Sequence, residues 1–458
     1  AAAGVTDLLD GAAAVLLFGI LNAILIARIG SSQPSSEGAF LARVYATTLL
    51  LRAVLAILIN VFAADSAFAA AFWGDSGTYD AAGHALARHW QGDSAGTSLT
   101  QMLSGYGFVY IVGALYYVFG RNQLLVQLLN CTVGALTVLV VYAIAARLFG
   151  RPVARWAALF MAFFPQMVFW SAGMYKDPTI LLCIALCMYA ALRLGEAFSP
   201  AYVLLFVSAA LALLTLRFYI FYFVVAAAVG AFVFGGRGSV AGRLLSCGVL
   251  IAALAGGFTL GVRQETLEAQ AAFMTLNQVQ VTRVDQAMWG KSAYGTEYDV
   301  TTTGGALQAL PVGLVYLLFA PFPWAITGMR QLLTVPETLV WYALMPAFAR
   351  GLVYSIRHRL RDVLPILVFT VTLTFAYALM QGNVGTAYRQ RTQVTMFFFV
   401  FMGVGIVEKQ RRRALATEAG GFDVSPGRTV ATAEPAASRL IEDHDFVYPD
   451  EADPAQRA

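Results

Sequence analysis

The stretch Asn122-Gln123-Leu124-Leu125-Val126-Gln127-Leu128-Leu129-Asn130-Cys131-Thr132-Val133-Gly134-Ala135-Leu136-Thr137-Val138-Leu139-Val140-Val141-Tyr142-Ala143-Ile144-Ala145-Ala146 carries no charge from end to end. Wound as a helix it is apolar on every face, and about 20 such residues cross a hydrocarbon core of about 30 Å. Arg147, Arg151 and Arg155 follow at once. A basic cluster closing a span orients it, because Lys and Arg near helix ends stay on the cytoplasmic side. Working outward, further spans are expected near residues 11–28, 40–62, 153–174, 178–195, 201–216, 218–235, 243–262, 334–355, 363–381 and 392–407. Two apolar segments, 104–120 and 306–327, are less regular; the second is broken by Pro321-Phe322-Pro323, which removes helical hydrogen bonds.

Composition agrees with this reading. Hydrophobic residues make up 59% of the 458 and charged residues 12%, with a mean hydropathy of +0.69. A soluble chain of that length needs far more polar surface. A β-barrel would show short segments of alternating polarity, and these runs do not alternate. The expected fold is therefore an all-α polytopic membrane protein of about eleven to thirteen transmembrane helices with outer-face juxtamembrane helices. Residues 1–407 form its transmembrane domain, with a first outer loop at 63–121 and a long outer loop at 263–333. Residues 408–458, rich in Ala, Glu, Asp, Arg and Pro, are expected to be a disordered cytoplasmic tail.

Only Lys176, Lys291 and Lys409 among thirty basic residues are lysines, which with the Ala and Gly richness suggests a GC-rich bacterial genome and a bacterial cytoplasmic membrane. The missing Met suggests an incomplete beginning. Cys131, Cys183, Cys187 and Cys247 lie in apolar runs without metal or redox spacing and read as small core residues. The net charge of +4 is modest, and nucleic acid is not an expected partner.

Orientation then becomes a parity problem. The clusters Arg147/Arg151/Arg155, Arg237/Arg243, Arg357/Arg359/Arg361 and Lys409/Arg411/Arg412/Arg413 all belong inside. They agree only if 104–120 and 306–327 both stop short of crossing, as interfacial or re-entrant helices. The outer face then receives residues 63–121, the Lys176-Asp177 corner, Arg217, residues 263–333 and the turn 382–391.

That face carries the candidate chemistry. Asp75 precedes residues 76–90, an expected amphipathic surface helix with Asp80, His84 and Arg88 on one face and Trp73 and Trp90 as headgroup anchors. Its plain reading is a helix N-cap. Asp177 precedes Pro178 where a new span begins, and a cap with a snorkelling Lys176 explains that corner too. Arg217 is flanked by apolar residues on both sides, where an ionisable group is usually paired or functional. Arg389 and Arg391 are basic on the side where positive charge is depleted, which suits a bound phosphate or anionic headgroups. The charges and aromatics at Arg283, Asp285, Trp289, Lys291, Tyr294, Glu297, Tyr298 and Asp299 suit sugars or protein partners.

These elements together resemble a family, the GT-C glycosyltransferases that use polyprenyl-phosphate sugars, especially the bacterial aminoarabinose lipid A transferases and their protein O-mannosyltransferase relatives. Trp73-Gly74-Asp75-Ser76-Gly77-Thr78-Tyr79-Asp80-Ala81-Ala82 is similar to the family's first acidic loop. Tyr117-Val118-Phe119-Gly120 resembles the end of its interfacial helix, Arg147-Leu148-Phe149-Gly150 its inner loop, Asp177-Pro178 its second acid, and Phe322-Pro323-Trp324 its Pro-Trp element. Arg217 stands where the family usually has Lys, and Ser76 where it often has Glu. The similarity covers most of residues 40–330.

The resemblance implies a transferase moving a sugar from a polyprenyl-phosphate carrier to an acceptor glycan, lipid or protein among membrane lipids. It assigns Asp75 as general base, and Asp177 to orienting the acceptor or, with Asp75, to holding a divalent metal ion. Arg217, Arg389 and Arg391 fall to the donor phosphate, and Tyr79, Lys176 and Trp324 to substrate binding. Two other readings stay open: an O-antigen-type polymerase or ligase using a pyrophosphate-linked donor, and a lipid-linked substrate transporter or flippase.

Overall fold

A computed structural model describes residues 2–31, 35–63, 67–93, 107–234, 239–261, 264–289, 292–326 and 329–420. Lys291, Arg237 and the part of the expected tail beyond Gly420 lie outside them, and the side chains of Trp73 and Trp289 are likewise not described. Among the described residues there are fifteen helices and no strand. Six helices are long and apolar enough to cross a membrane, or seven if one bent pair counts as a span, so the chain is a multi-pass membrane protein.

Helices α1 (Ala2–Ser31) and α2 (Ser35–Ala63) lead into α3 (Ala67–Trp90) and the short α4 (Gly107–Phe119). At 1.5 Å per residue the described part of α4 is about 20 Å long, shorter than the hydrocarbon core. It packs along α3, where a Cβ on Gly83 would collide with the Val112 side chain. Asp75 lies inside α3, not at its start, so the N-cap reading of this residue does not hold.

The quoted stretch becomes α5 (Gln123–Phe149), capped by Asn122, whose side chain accepts from the Leu125 N–H. Gly150 then turns into α6 (Arg151–Phe163) and α7 (Pro165–Ala172), bent by 51° where Pro165 has no N–H to give. The missing bond would leave Met161 O bare. Arg52, fully buried on α2, supplies it: Nη2 donates to Met161 O at 3.2 Å, Nη1 to Ala162 O at 2.9 Å and Nε to Ser171 Oγ at 2.7 Å. Thr48 Oγ1 also donates to Ala162 O at 2.8 Å, so Arg52→Met should strip Met161 O and Ser171 Oγ of this donor and lower stability by about 2 kcal/mol. Thermal unfolding in detergent would show it, and a melting temperature equal to the parent's would refute this role.

Next come α8 (Asp177–Leu194), α9 (Pro200–Phe234), α10 (Val240–Gly261), α11 (Gln264–Phe273), α12 (Leu276–Trp289), α13 (Thr303–Phe319), α14 (Met329–Met380) and α15 (Val384–Gly420). Straight helices of 35 and 52 residues, the lengths of α9 and α14, would run about 50 and 80 Å. Both are broken instead, at Arg217 (φ −159°, ψ 81°) and Arg359 (φ −137°, ψ 23°). Arg217 lies beside Asp177 at the start of α8, whereas Ala231 shares a cavity with Ala191 and Gly195 at its far end. The halves of α9 are thus antiparallel and coincide with the expected runs 201–216 and 218–235. In α14, Arg361 and Asp362 line that same far cavity, while Trp341 lies under the Arg391 guanidinium and Tyr377 bonds Gln393 near the start of α15. It too is folded at its break, as the runs 334–355 and 363–381 require.

Two features of this bundle place the site. The spans of α15 and α8 are the most enclosed, 78% and 72% buried against 28% for α2, so a charge on either faces protein and not lipid. The ends of the bundle also carry different charges. One end holds Arg155 with Glu37, Arg147 with Glu196, and Arg359 with Asp362; the other holds Asp75, Asp177, Arg217 and Arg389. The helix α15 continues past residue 407 to Gly420, helped by Arg412 on Glu408 one turn before it at 2.7 Å. The expected tail boundary at 408 is corrected to that extent.

Candidate active site

Asp177 is the first residue of α8, with Pro178 beside it in a turn that needs no intrahelical N–H. Its carboxylate does not cap the helix. It is wholly buried and turns to Arg389 on α15, whose Nε and Nη2 both donate to Oδ2, at 2.9 and 2.5 Å. Arg217 approaches the other oxygen, Nη2 to Oδ1, at 3.7 Å. A buried carboxylate is tolerated only with such compensation, and here two guanidiniums provide it.

Arg389 also reaches across to α3: its Nη1 donates to Asp75 Oδ2 at 2.6 Å. One guanidinium thus bridges the two acids. Its plane is held against the rings of Trp170 at 5.1 Å and Tyr175 at 4.8 Å, within cation–π range. Asp75 is the open member of the group, its side chain 55% exposed against 0% for Asp177. Three hydrogen-bonding positions remain unused: Asp177 Oδ1 and Arg217 Nη1 are buried without a hydrogen-bond partner, and so is Trp170 Nε1.

The segments that carry these residues are fixed from outside. Asp80, one turn beyond Asp75, is buried and accepts from Tyr116 OH at 2.7 Å and from both Nε and Nη2 of Arg121, tying α3 to α4 and the start of α5. Asp80 and Arg88 therefore do not share a free polar face as expected from their spacing; Arg88 pairs with Asp93 instead. Before α15, Val384 N donates to Ser292 O at 3.0 Å and Tyr294 N to Gly382 O at 3.1 Å. Arg283 donates to Leu379 O at 2.8 Å and Gly295 O at 2.7 Å. The long segment 263–333 thus buttresses the turn that presents Arg389.

Of the expected substrate residues, Tyr79 is buried edge-on against Phe108 at 5.0 Å, and burial together with the Asp75 charge pushes its hydroxyl pKa up. Lys176 adjoins Asp177, and burial, with Arg217 nearby, pushes its ammonium down to about 8. Stability should accordingly rise from pH 8 towards pH 10, because the unfolded chain, titrating near its ordinary value, binds the extra proton in that window. Lys176→Met should flatten that rise in a melting-temperature profile; an unchanged slope would assign it elsewhere.

Arg391 is a correction. Two residues after Arg389 on a helix, it points about 200° away around the axis. Its buried Nη1 donates to Leu318 O at 3.0 Å and Ala320 O at 3.1 Å, satisfying carbonyls at the end of α13, with Trp341 5.1 Å below. Trp324 also stays out of the cluster; it is 78% exposed and stacked on Phe322. The divalent-ion reading of Asp75 and Asp177 does not fit these side chains. Arg389 stands between the two carboxylates, and the described residues hold no group of three or more His, Cys, Asp or Glu suited to a metal. Trp170, Tyr175 and Gln166 were missed in the sequence. Gln166, a lone amide after Pro165 in an apolar run, donates to the Tyr388 carbonyl and so holds the turn of α15 before Arg389.

Residues 105–256 match the family model for dolichyl-phosphate-mannose-protein mannosyltransferase. The match extends over less than half of the chain. The matched part contains α8 and α9, and with them Asp177 and Arg217. Among solved structures, the archaeal oligosaccharyltransferase AglB from Archaeoglobus fulgidus, in complex with an inhibitory peptide and a dolichol-phosphate, superposes with a TM-score of 0.40 at 14% identity. The overlap covers 75% of this chain and 46% of that one, so the chain spans about half the length of the structure it matches. No curated protein matches the chain.

Proposed function

We propose that this protein is a membrane glycosyltransferase that moves a sugar from a polyprenyl-phosphate donor to an acceptor hydroxyl, with inversion, at the outer face of the bacterial cytoplasmic membrane. The observation that carries the proposal is the convergence of Asp75, Asp177, Arg217 and Arg389, from four segments distant in sequence, at the end of the bundle opposite the Arg147 and Arg155 pairs. The basic clusters at that opposite end support reading it as the cytoplasmic one.

In the proposed reaction the acceptor oxygen attacks the anomeric carbon as its proton passes to Asp75, the exposed carboxylate. The bond from the anomeric carbon to the phosphate oxygen breaks, and the electron pair leaves with polyprenyl phosphate. Negative charge then grows on the phosphate, where Arg217 and Arg389 supply fixed positive charge in a partly dry site. Asp177 holds both guanidiniums in place. No step is assigned to a metal ion.

A pyrophosphate-linked donor is less well served, because Arg391, the second arginine of the 382–391 turn, is committed to the carbonyls of α13. The experiment is direct: purified protein in lipid nanodiscs receives polyprenyl-monophosphate sugars or polyprenyl-pyrophosphate sugars, and products are read by mass spectrometry. Transfer from the monophosphate donor is expected. Transfer from the pyrophosphate donor alone, or movement of lipid across proteoliposomes with no covalent product, would replace the proposal with one of its rivals.

A further inference from the structure

The geometry points to Arg389 as the residue that makes Asp75 available as a base only after a donor phosphate has engaged the site, so that donor binds before acceptor. This rests on the reading of Asp75 as the proton acceptor and adds a control to it.

The guanidinium of Arg389 makes two unlike sets of contacts. Toward Asp177 it gives two donors, Nε and Nη2, to a carboxylate with no access to water. That set is costly to break, since separating the pair would leave an uncompensated charge in the interior. Toward Asp75 it gives one donor, Nη1, to a carboxylate that is more than half exposed and that water can solvate. That arm is the weak one, because an exposed pair of this kind contributes about 0–1 kcal/mol. A phosphate arriving at Arg389 therefore replaces the Asp75 arm first.

Arg217 makes the replacement favourable. Its guanidinium is buried, sits 3.7 Å from Asp177 and has Nη1 without a hydrogen-bond partner. The four charges of the cluster cancel, and Lys176 beside them adds positive charge below pH 8. One phosphodiester, with a single negative charge, would meet Nη1 of both arginines, and Asp75 would be the group displaced. The Asp75 oxygen bonded to Arg389 is otherwise engaged and poorly placed to take a proton from an acceptor. A base masked until the donor is seated also protects the donor from premature attack by water.

The test uses the full-length wild-type chain in nanodiscs and polyprenyl phosphate as the probe, with the uncharged polyprenol as control. Binding is followed by thermal shift, and Asp75 is labelled with a water-soluble carbodiimide and an amine, quantified by peptide mass spectrometry. Polyprenyl phosphate should raise the labelling rate of Asp75 by about fivefold, the factor equivalent to releasing an exposed pair worth about 1 kcal/mol. Polyprenol should leave it unchanged. Arg389→Gln, where it folds, should label at the raised rate with either lipid. If polyprenyl phosphate binds and Asp75 labelling stays level or falls, the masking role is wrong while the donor reading stands. If polyprenyl phosphate does not bind at all, the donor reading itself fails.

Discussion

Asp75→Asn is expected to lower kcat for sugar transfer by about 10²–10⁴-fold, the usual worth of a positioned general base. The amide keeps the shape of the side chain and cannot take the acceptor's proton. Stability should hardly change, because Asp75 is more than half exposed and Arg389 keeps its two bonds to Asp177, and a partly exposed pair contributes about 0–1 kcal/mol. Donor affinity should stay the same or rise, since the Arg389 Nη1 is released for phosphate. The three readouts separate the explanations. A base gives a loss in kcat with normal melting and normal donor binding. A structural acid gives a loss in all three. A variant that keeps more than about a tenth of the parental kcat removes Asp75 from the proton-transfer step.

Much of the architecture was legible because a membrane imposes strong rules on sequence. The span at 122–146 could be read from length and uniform apolarity, and the hairpins at Arg217 and Arg359 follow from runs too long for one crossing. Charge parity brought 63–121, Asp177, Arg217 and 382–391 to one end, where Asp75, Asp177, Arg217 and Arg389 are found in contact. Parity ranks residues by side, not by direction. It treated Arg389 and Arg391 alike, and only the helical phase of α15 separates the phosphate candidate from the carbonyl cap. The same limit applies to Asp75. An acid before a stretch of helical period looks like a cap, and its position inside α3 depends on upstream residues that continue the helix. Arg52 was overlooked because an arginine in an apolar run gives no hint of which backbone is broken elsewhere; its partners lie more than a hundred residues away.

The largest effect on stability is expected from Asp177→Asn. This change leaves the Arg217 and Arg389 guanidiniums side by side in the interior with their shared anion gone, a loss on the order of 3–5 kcal/mol. The same buried pair could have been replaced wholesale by apolar residues at little cost, so the penalty reflects the stranded charges more than the strength of the original bonds. Two consequences follow from that distinction. Combining Asp177→Asn with Arg217→Gln should recover part of the loss, because the second change removes one stranded charge; a coupling of about 1–3 kcal/mol is expected for groups this close. An anion should also compensate. Polyprenyl phosphate should raise the melting temperature of Asp177→Asn by more than that of the parent, since binding stabilises the folded state in proportion to RT ln(1 + [L]/Kd) and the variant's uncompensated cations favour the phosphate. Equal shifts in the two proteins would mean that the lipid phosphate binds away from Arg217 and Arg389. A single Asp177→Asn variant that melts like the parent would show that the two arginines do not depend on this carboxylate.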